Sequence, residues 1–403
     1  MNRPSRNERN GVMISMAILL VLQIFPLTGL GKAFSSKGLD FLFYLRGPIA
    51  SRTPIVIVEI NNKSFKKMPE RWMWPRSYHA KIIRQIMRGK PKVIAFDVLF
   101  TEQSVNNPGQ DNELALACKE AGNVIMAAEI FNGLNRGGES YILNRPINKI
   151  EKSICGFGIV NTLIDSNMSI RKAPLLWNLG SDSDNGKYCP SFALATYLFY
   201  ADLSARNYVV RRKSILIGNH KIPVLNEEGN SSIIINYVGG SGSFKTVPYH
   251  DVFNGAIDPS VFKDAVVLVG SSAGALHDGY SYPFSNNENR LLSGVEINAN
   301  IIETISSKRY IRRTGYFVGA AMACFFAYLI GLIAVRARVW VTILSTMGMF
   351  IFTILMGAIL FIYWNIYFEE YAFILAAIPL FYIGAITWKA VITEKMNREL
   401  IKG

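Results

Sequence analysis

Four apolar runs, spaced unevenly along the 403 residues, constrain this chain more than any single motif. One run lies near the N-terminus, at residues 11–31, and three lie together near the C-terminus, at residues 315–335, 339–363 and 371–388. Each is close to the ~20 residues that a helix needs to cross the ~30 Å hydrocarbon layer of a membrane. The pattern predicts four transmembrane α-helices around one large polar domain, residues 32–314.

The short charged segments predict the orientation of these helices. Basic residues occur in the tail 1–10, in the turn 336–338 and in the final segment 389–403, whereas the loop 365–370 carries two glutamates and no cation. Short basic segments stay in the cytoplasm. We therefore expect residues 32–314 to be extracytoplasmic and both termini to be cytoplasmic.

The first apolar run has a second interpretation, a cleaved signal peptide, because arginines precede it. The residues that follow it, Lys32–Phe34, offer no small-x-small cleavage site, and the run is longer than a usual signal core. A retained anchor is the favoured interpretation.

A net charge of +14 invites a nucleic-acid-binding hypothesis, which the distribution of the charge argues against. Many cations lie beside the predicted spans, and no run interleaves aromatic and basic residues as a nucleic-acid platform does. Anionic membrane lipid is the expected partner of the juxtamembrane cations.

Cysteine and histidine usage argues against a stapled fold or a metal centre. Three cysteines lie in residues 32–314, which allows at most one internal disulfide, with Cys155–Cys189 a candidate pair. The chain has no C-x-x-C pair, and its four histidines are scattered without ligand spacing. We expect neither a metal site nor a cofactor.

Buried-strand and helix patterns alternate through the first part of the polar domain. Three runs are rich in β-branched and apolar residues, as buried strands are: 54–60, 92–100 and 123–128. Between the first two runs, segment 76–87 carries apolar residues at helical spacing. This alternation predicts a parallel sheet. A β-rich insertion with one helix at 191–203 follows, and then a further buried strand at 263–270 and a helix at 294–306. The expected fold class is an α/β domain with a parallel core and a β-rich insertion.

Seven blocks of this domain, in this order, resemble a known family: PIVIVEINNKSF, WPRSYHAKIIRQI, KVIAFDVLFTE, CPSFALATY, INYVGGSGSFKTVPYHDV, FKDAVVLVGSSA and SGVEINANIIETI. They are similar to the CHASE2 domain, an extracytoplasmic sensor of bacterial transmembrane receptors, over about residues 39–307. The resemblance implies one span before the domain and three after it, in the plasma membrane. It also implies a cytoplasmic output domain, often an adenylate cyclase or a kinase.

The chain departs from that pattern because it ends about 15 residues after the last predicted span, where a catalytic domain does not fit. We expect a non-catalytic sensory and membrane module, whose output lies on a missing C-terminal part or on another chain. The alternative is a structural membrane protein that scaffolds an envelope or motility assembly. A smaller departure is Asn61-Asn62, where the family pattern has acidic residues.

Two carboxylates mark a candidate ligand site. Glu59 and Asp97 end two predicted parallel strands, and ligands of open α/β sheets bind beyond the carboxyl ends of strands. With Glu102, Arg76 and His79 they could line a sensory pocket or hold a divalent cation. The alternative is that Asp97 caps a turn and pairs with Arg76 for structural reasons.

The segment Gly270–Gly274 matches the nucleophile-elbow pattern G-x-S-x-G around Ser272. His277 lies only five residues on, and Gly279 and Pro283 interrupt any following helix, so a tight turn is favoured over a hydrolase site.

The predicted spans contain no Asp, Glu, Lys, Arg or His, which argues against transport. Small residues recur every four positions, as in Gly319–Ala323, and permit close helix packing within one chain, in a homodimer or in a larger assembly. The alternative is that they only face lipid.

Overall fold

The computed structural model describes residues 29–104, 107, 109–135, 138–165, 168–180, 188–203, 208–227, 229–272, 279–285, 291–368 and 371–402. The predicted tail 1–10 and most of the first predicted span, residues 11–28, lie outside them. The chain forms two compact units, one of residues 48–310 and one that combines the stretch up to Gly47 with residues 311–403.

The helices α1 to α11 span Gly29–Arg46, Asn62–Lys67, Arg76–Met87, Gly109–Ala121, Asn148–Glu151, Phe192–Tyr200, Tyr249–Phe253, Gly294–Ser306, Tyr316–Arg336, Val339–Trp364 and Tyr371–Lys402. The strands β1 to β18 span Ile55–Ile60, Val93–Leu99, Val124–Asn135, Gly138–Asn144, Gly156–Ile159, Lys172–Asn178, Tyr188–Pro190, Tyr208–Arg211, Ser214–Ile217, His220–Pro223, Leu225–Glu227, Asn230–Ile234, Lys245–Pro248, Val266–Ser271, Gly279–Tyr280, Leu292–Ser293, Arg312–Arg313 and Ile366–Tyr367.

A parallel sheet forms the core of the unit 48–310, as the sequence predicted. Its strands follow the order β13-β1-β14-β2-β3, with β5 parallel to β3 and β4 antiparallel to the end of β3. The central strands are apolar on both faces because helices cover both. Side chains of α3, α4 and α7 pack with alternate residues of β1, β14 and β2, whereas α6 and α8 contact strands of the same sheet outside that apolar cluster.

The β-rich insertion forms a four-stranded sheet, β11-β12-β6-β7, and a three-stranded sheet, β10-β9-β8. The strand-like run of residues 232–238 continues the sequence pattern of strand β12, but β12 ends at Ile234 in the structure. It ends there because the N–H groups of Asn236 and Val238 donate to side chains of helix α8, at 3.0 and 2.9 Å, instead of to a neighbouring strand. Tertiary contacts thus override the local strand pattern.

The second unit is built from α1 and the helices α9 to α11. Helix α1 begins at Gly29 and continues to Arg46, so the compact unit that follows begins at Pro48 and not at Lys32. Phe43 of α1 packs edge-to-face on Phe361 of α10, with 5.1 Å between ring centroids. The apolar face of α1 therefore packs on the C-terminal helices.

Helix α10 has the character of a membrane helix on both of its faces. One face exposes large apolar side chains, and the other buries Thr342, Thr346, Thr353 and Gly357. The threonine hydroxyls donate to carbonyls one turn back in the same helix, which satisfies them without water.

By length and apolar composition, α10 is the one helix in the described part of the chain that could cross a membrane. Shorter apolar stretches occupy residues 321–333 of α9 and 378–391 of α11. The four-span arrangement therefore stays a prediction.

Candidate functional site

The structure places Glu59 and Asp97 in one row across three adjacent strands. Gly270 of β14 pairs with Glu59 of β1 on one side and with Asp97 of β2 on the other. Paired residues of parallel strands point to the same face of a sheet, so both carboxylates project to one face, on either side of a glycine. The prediction that these two residues share the carboxyl edge of the sheet is confirmed.

This row lies where the helical connections diverge. The chain leaves β1 and β2 towards helices on one face of the sheet, α3 and α4, and leaves β14 towards α8 on the other. In open α/β sheets, ligands usually bind at such a switch point, beyond the carboxyl ends of the strands.

The glycine allows α8 to approach the row closely. A Cβ atom on Gly270 would lie 2.8 Å from Cβ of Val295, in the first turn of α8, and 3.1 Å from Cβ of Asp97. One turn further along α8, Asn298 donates from Nδ2 to Oδ2 of Asp97 at 3.0 Å. The N-terminal half of α8 therefore packs directly on the candidate site.

Glu59 is held by neutral donors. Asn61 donates from Nδ2 to Oε2 of Glu59 at 2.9 Å, and the hydroxyl of Ser272 donates to Oε1. The oxygen of the same Asn61 accepts from the backbone N–H of Ser64 at 2.9 Å and so caps helix α2. An acid at position 61 could make the cap but has no N–H for Glu59, which explains why asparagine suits this chain.

A buried hydrogen-bond chain extends from this asparagine to helix α7. Ser64 Oγ lies 3.1 Å from Oδ1 of Asn61 and 3.2 Å from Nδ1 of His250, whose Nε2 lies 3.2 Å from Oδ1 of Asp251. The sequence carries no signal for the contact of His250 with Ser64, because 186 residues separate the two. Ser64 and His250 are both buried. This hydrogen-bond chain therefore fixes the side chain of Asn61, which in turn orients Glu59.

Arg76 does not join the two carboxylates, contrary to the predicted grouping. Its guanidinium donates to Oδ1 of Asp111 at 2.6 Å and to the backbone oxygen of Glu102, and it lies 5.5 Å from the ring centre of Phe100. The alternative Arg76–Asp97 pair does not form either. Because α3 packs on the opposite face of the sheet, Arg76 binds α4 and the segment after β2.

His79 is part of the apolar core. Its Nδ1 lies 3.0 Å from the hydroxyl of Tyr249, and the rings of Phe96 and Phe100 pack around it. Burial, with a smaller contribution from the charge of Arg76, lowers the pKa of His79 to about 3. The imidazole is therefore neutral at physiological pH and serves packing.

The cysteines are free, and the candidate Cys155–Cys189 bridge is not formed. Burial raises the pKa of Cys118 and of Cys189 to about 12, which makes them unreactive thiols.

Ser272, the candidate nucleophile, follows strand β14, but His277 lies outside the described residues. Within the described ranges, no group of three or more His, Cys, Asp or Glu side chains is arranged to hold a metal ion.

Comparison with known families agrees with this fold. The sequence model of the CHASE2 domain matches residues 14–334. The chain belongs to the CHASE2 family. Since that family is an extracytoplasmic sensor domain, membership identifies a membrane-associated sensor protein. The CHASE2 match also extends beyond the unit 48–310 at both ends, over most of the predicted spans 11–31 and 315–335.

The comparisons with curated proteins and with solved structures found no match for this chain.

Proposed function

We propose that this chain is the sensory and membrane module of a CHASE2 receptor. In this proposal the unit 48–310 lies outside the plasma membrane and binds a ligand or a partner protein. The four predicted spans hold the module in the membrane of a bacterium, with both termini in the cytoplasm. The chain itself is non-catalytic and acts on a cytoplasmic effector, a cyclase or a kinase, on a further part of the polypeptide or on another chain.

One observation supports this proposal most directly: helix α8 connects the candidate site to the chain segment that leads into the unit of residues 1–47 and 311–403, which we call the membrane unit. Its N-terminal half contacts Gly270 and Asp97. Its C-terminal end is Ser306, and residues 307–315 then lead to α9. At 1.5 Å per residue, the 13 residues of α8 span about 20 Å. A displacement at the site therefore has a rigid, buried element to move.

The chemistry of the row indicates the kind of ligand that fits. Glu59 presents carboxylate oxygens that accept from the neutral groups of Asn61 and Ser272. A cationic or donor-rich ligand would complement this carboxylate. Such a ligand switches the receptor only if it binds one arrangement of α8 more tightly than another.

The experiment is a chimera in which residues 1–403 precede the catalytic domain of an adenylate cyclase, with cyclic AMP as the readout in cells. Asp97→Asn and Asn298→Ala alter the contact between the row and α8, and we expect each to change the basal output several-fold. The matched control is Glu113→Gln, an exposed carboxylate on α4 that contacts Arg84. Membrane levels of each variant are measured in parallel.

Unchanged output in both variants would overturn the proposal. Purification of the full chain after cross-linking gives an independent test. Recovery of a kinase or cyclase supports signalling, whereas recovery of envelope or motility proteins alone supports a scaffold.

A further inference from the structure

Helix α8 also holds the segment through which the chain enters the unit 48–310. Glu303 is 1% exposed, and its carboxylate accepts three hydrogen bonds. Arg52 N donates to Oε1 at 3.0 Å, and Thr53 N and Ser51 Oγ donate to Oε2 at 2.9 and 3.0 Å. We call this set of contacts the Glu303 clamp. All three donors come from one short stretch just before strand β1.

The same end of α8 is tied to the segment that leaves the unit. Ser307 Oγ donates to the backbone oxygen of Glu303 at 2.6 Å. The hydroxyl of Tyr310 donates to the backbone oxygen of Ile305 at 3.2 Å. Asn236 binds this end twice, through its N–H to Thr304 and through Nδ2 to the backbone oxygen of Arg309 at 2.8 Å. The last turn of α8 and residues 307–310 therefore form one hydrogen-bonded body.

We propose that the Glu303 clamp couples the two ends of this unit, so that a movement of α8 displaces residues 51–53 and residues 307–310 together. Residues 51–53 follow α1 by a few positions, and residues 307–310 precede α9. The clamp thus places both connections to the membrane unit under the control of one helix. This inference rests on the proposed function, because it supplies the route by which the site acts on the membrane helices.

A carboxylate suits this role better than an amide. Both oxygens of Glu303 accept from N–H or O–H donors, and a glutamine would turn an NH₂ group towards one of them. Buried donors left without a partner favour opening of the segment that carries them. Glu303→Gln therefore changes the contact without changing the volume of the side chain.

The test uses the full chain in lipid nanodiscs, with spin labels at the exposed positions Ala50 and Lys308. We expect Glu303→Gln to broaden the distribution of distances between the two labels. We also expect amide exchange at Arg52 and Thr53 to become roughly tenfold faster or more, as for local opening. The matched control is Glu296→Gln, two turns earlier on α8, whose carboxylate binds Ser241, Gly242 and Ser293 instead.

Ser51→Ala removes one hydroxyl donor and leaves both backbone contacts in place, so it should give a smaller shift of the same kind even if Glu303→Gln folds poorly. A label distance and an exchange rate that stay at wild-type values in both variants, or that change equally in Glu296→Gln, would overturn the proposal. The label distances and exchange rates need no stimulus or effector. If the variants change them as expected but the cyclase chimera gives unchanged output, the result counts against the proposed function alone.

Discussion

Replacement of Gly270 by alanine tests the packing of α8 on the candidate site. The added methyl group would lie 2.8 Å from Cβ and 2.9 Å from Cγ2 of Val295, and 3.1 Å from Cβ of Asp97. These are atoms close to the backbone, so side-chain rotation cannot relieve the contact. Helix α8 or strand β2 must shift.

Overpacking of this kind costs about 1–3 kcal/mol. The lower entropy of an unfolded chain with alanine offsets about 0.5 kcal/mol of that cost. The net loss of about 0.5–2.5 kcal/mol corresponds to a fall in Tm of roughly 2–8 °C for a unit of this size. The assay is thermal unfolding of the purified full chain in detergent, followed by intrinsic fluorescence.

Gly156→Ala is the matched control. Its methyl group would meet only Cδ1 of Ile125 at 3.5 Å, an ordinary contact. We expect a Tm within about 2 °C of the wild type or slightly above it. Equal values of Tm for Gly270→Ala and Gly156→Ala would refute the close approach of α8 to the carboxylate row.

Three further predictions concern other parts of the chain. The pKa of His79 is lowered to about 3 in the folded state, so the unfolded state binds one more proton than the folded state below about pH 6.5. As the pH is lowered from 6.5 to 3, the unfolding free energy should therefore decrease by up to about 1.4 kcal/mol per pH unit. His79→Phe should reduce that slope, measured by denaturant titrations. Arg76→Ala leaves a buried aspartate unpaired and should lower the unfolding free energy by about 3 kcal/mol or more, measured by the urea midpoint; a shift within about 0.5 kcal/mol would contradict the described ion pair. Gly357→Ala places a methyl group against the ring of Tyr371 in α11 and should lower the Tm of the membrane unit in detergent. Gly348→Ala, whose methyl group meets no atom within 4 Å, should leave the Tm unchanged. Equal effects of the two substitutions would contradict the packing of α10 on α11.

The parallel core was predictable because its strands carry strong local signals. The runs at 54–60 and 263–270 are apolar on both faces, and helix α8 occupies the predicted residues 294–306. The end of strand β12 was not predictable, because partners more than sixty residues away determine the hydrogen bonds of Asn236 and Val238.

The candidate site was predictable only in part. The rule that parallel strands share a carboxyl edge brought Glu59 and Asp97 together, but it does not say on which face a following helix lies. For that reason the sequence predicts Arg76 beside them, whereas in the structure it binds Asp111. Asn298, which donates to Asp97, is 201 residues away and carries no local signal.

The central claim is that the unit 48–310 lies outside the membrane while the turn between α9 and α10 lies in the cytoplasm. Labelling of intact spheroplasts with a membrane-impermeant maleimide tests it most directly, using Lys67→Cys and Arg338→Cys, both exposed positions, against the background of the parent chain. We predict that the cysteine at 67 is labelled in intact spheroplasts and that the cysteine at 338 is labelled only after lysis. Labelling at 338 in intact spheroplasts, or protection at 67 until lysis, would contradict the account.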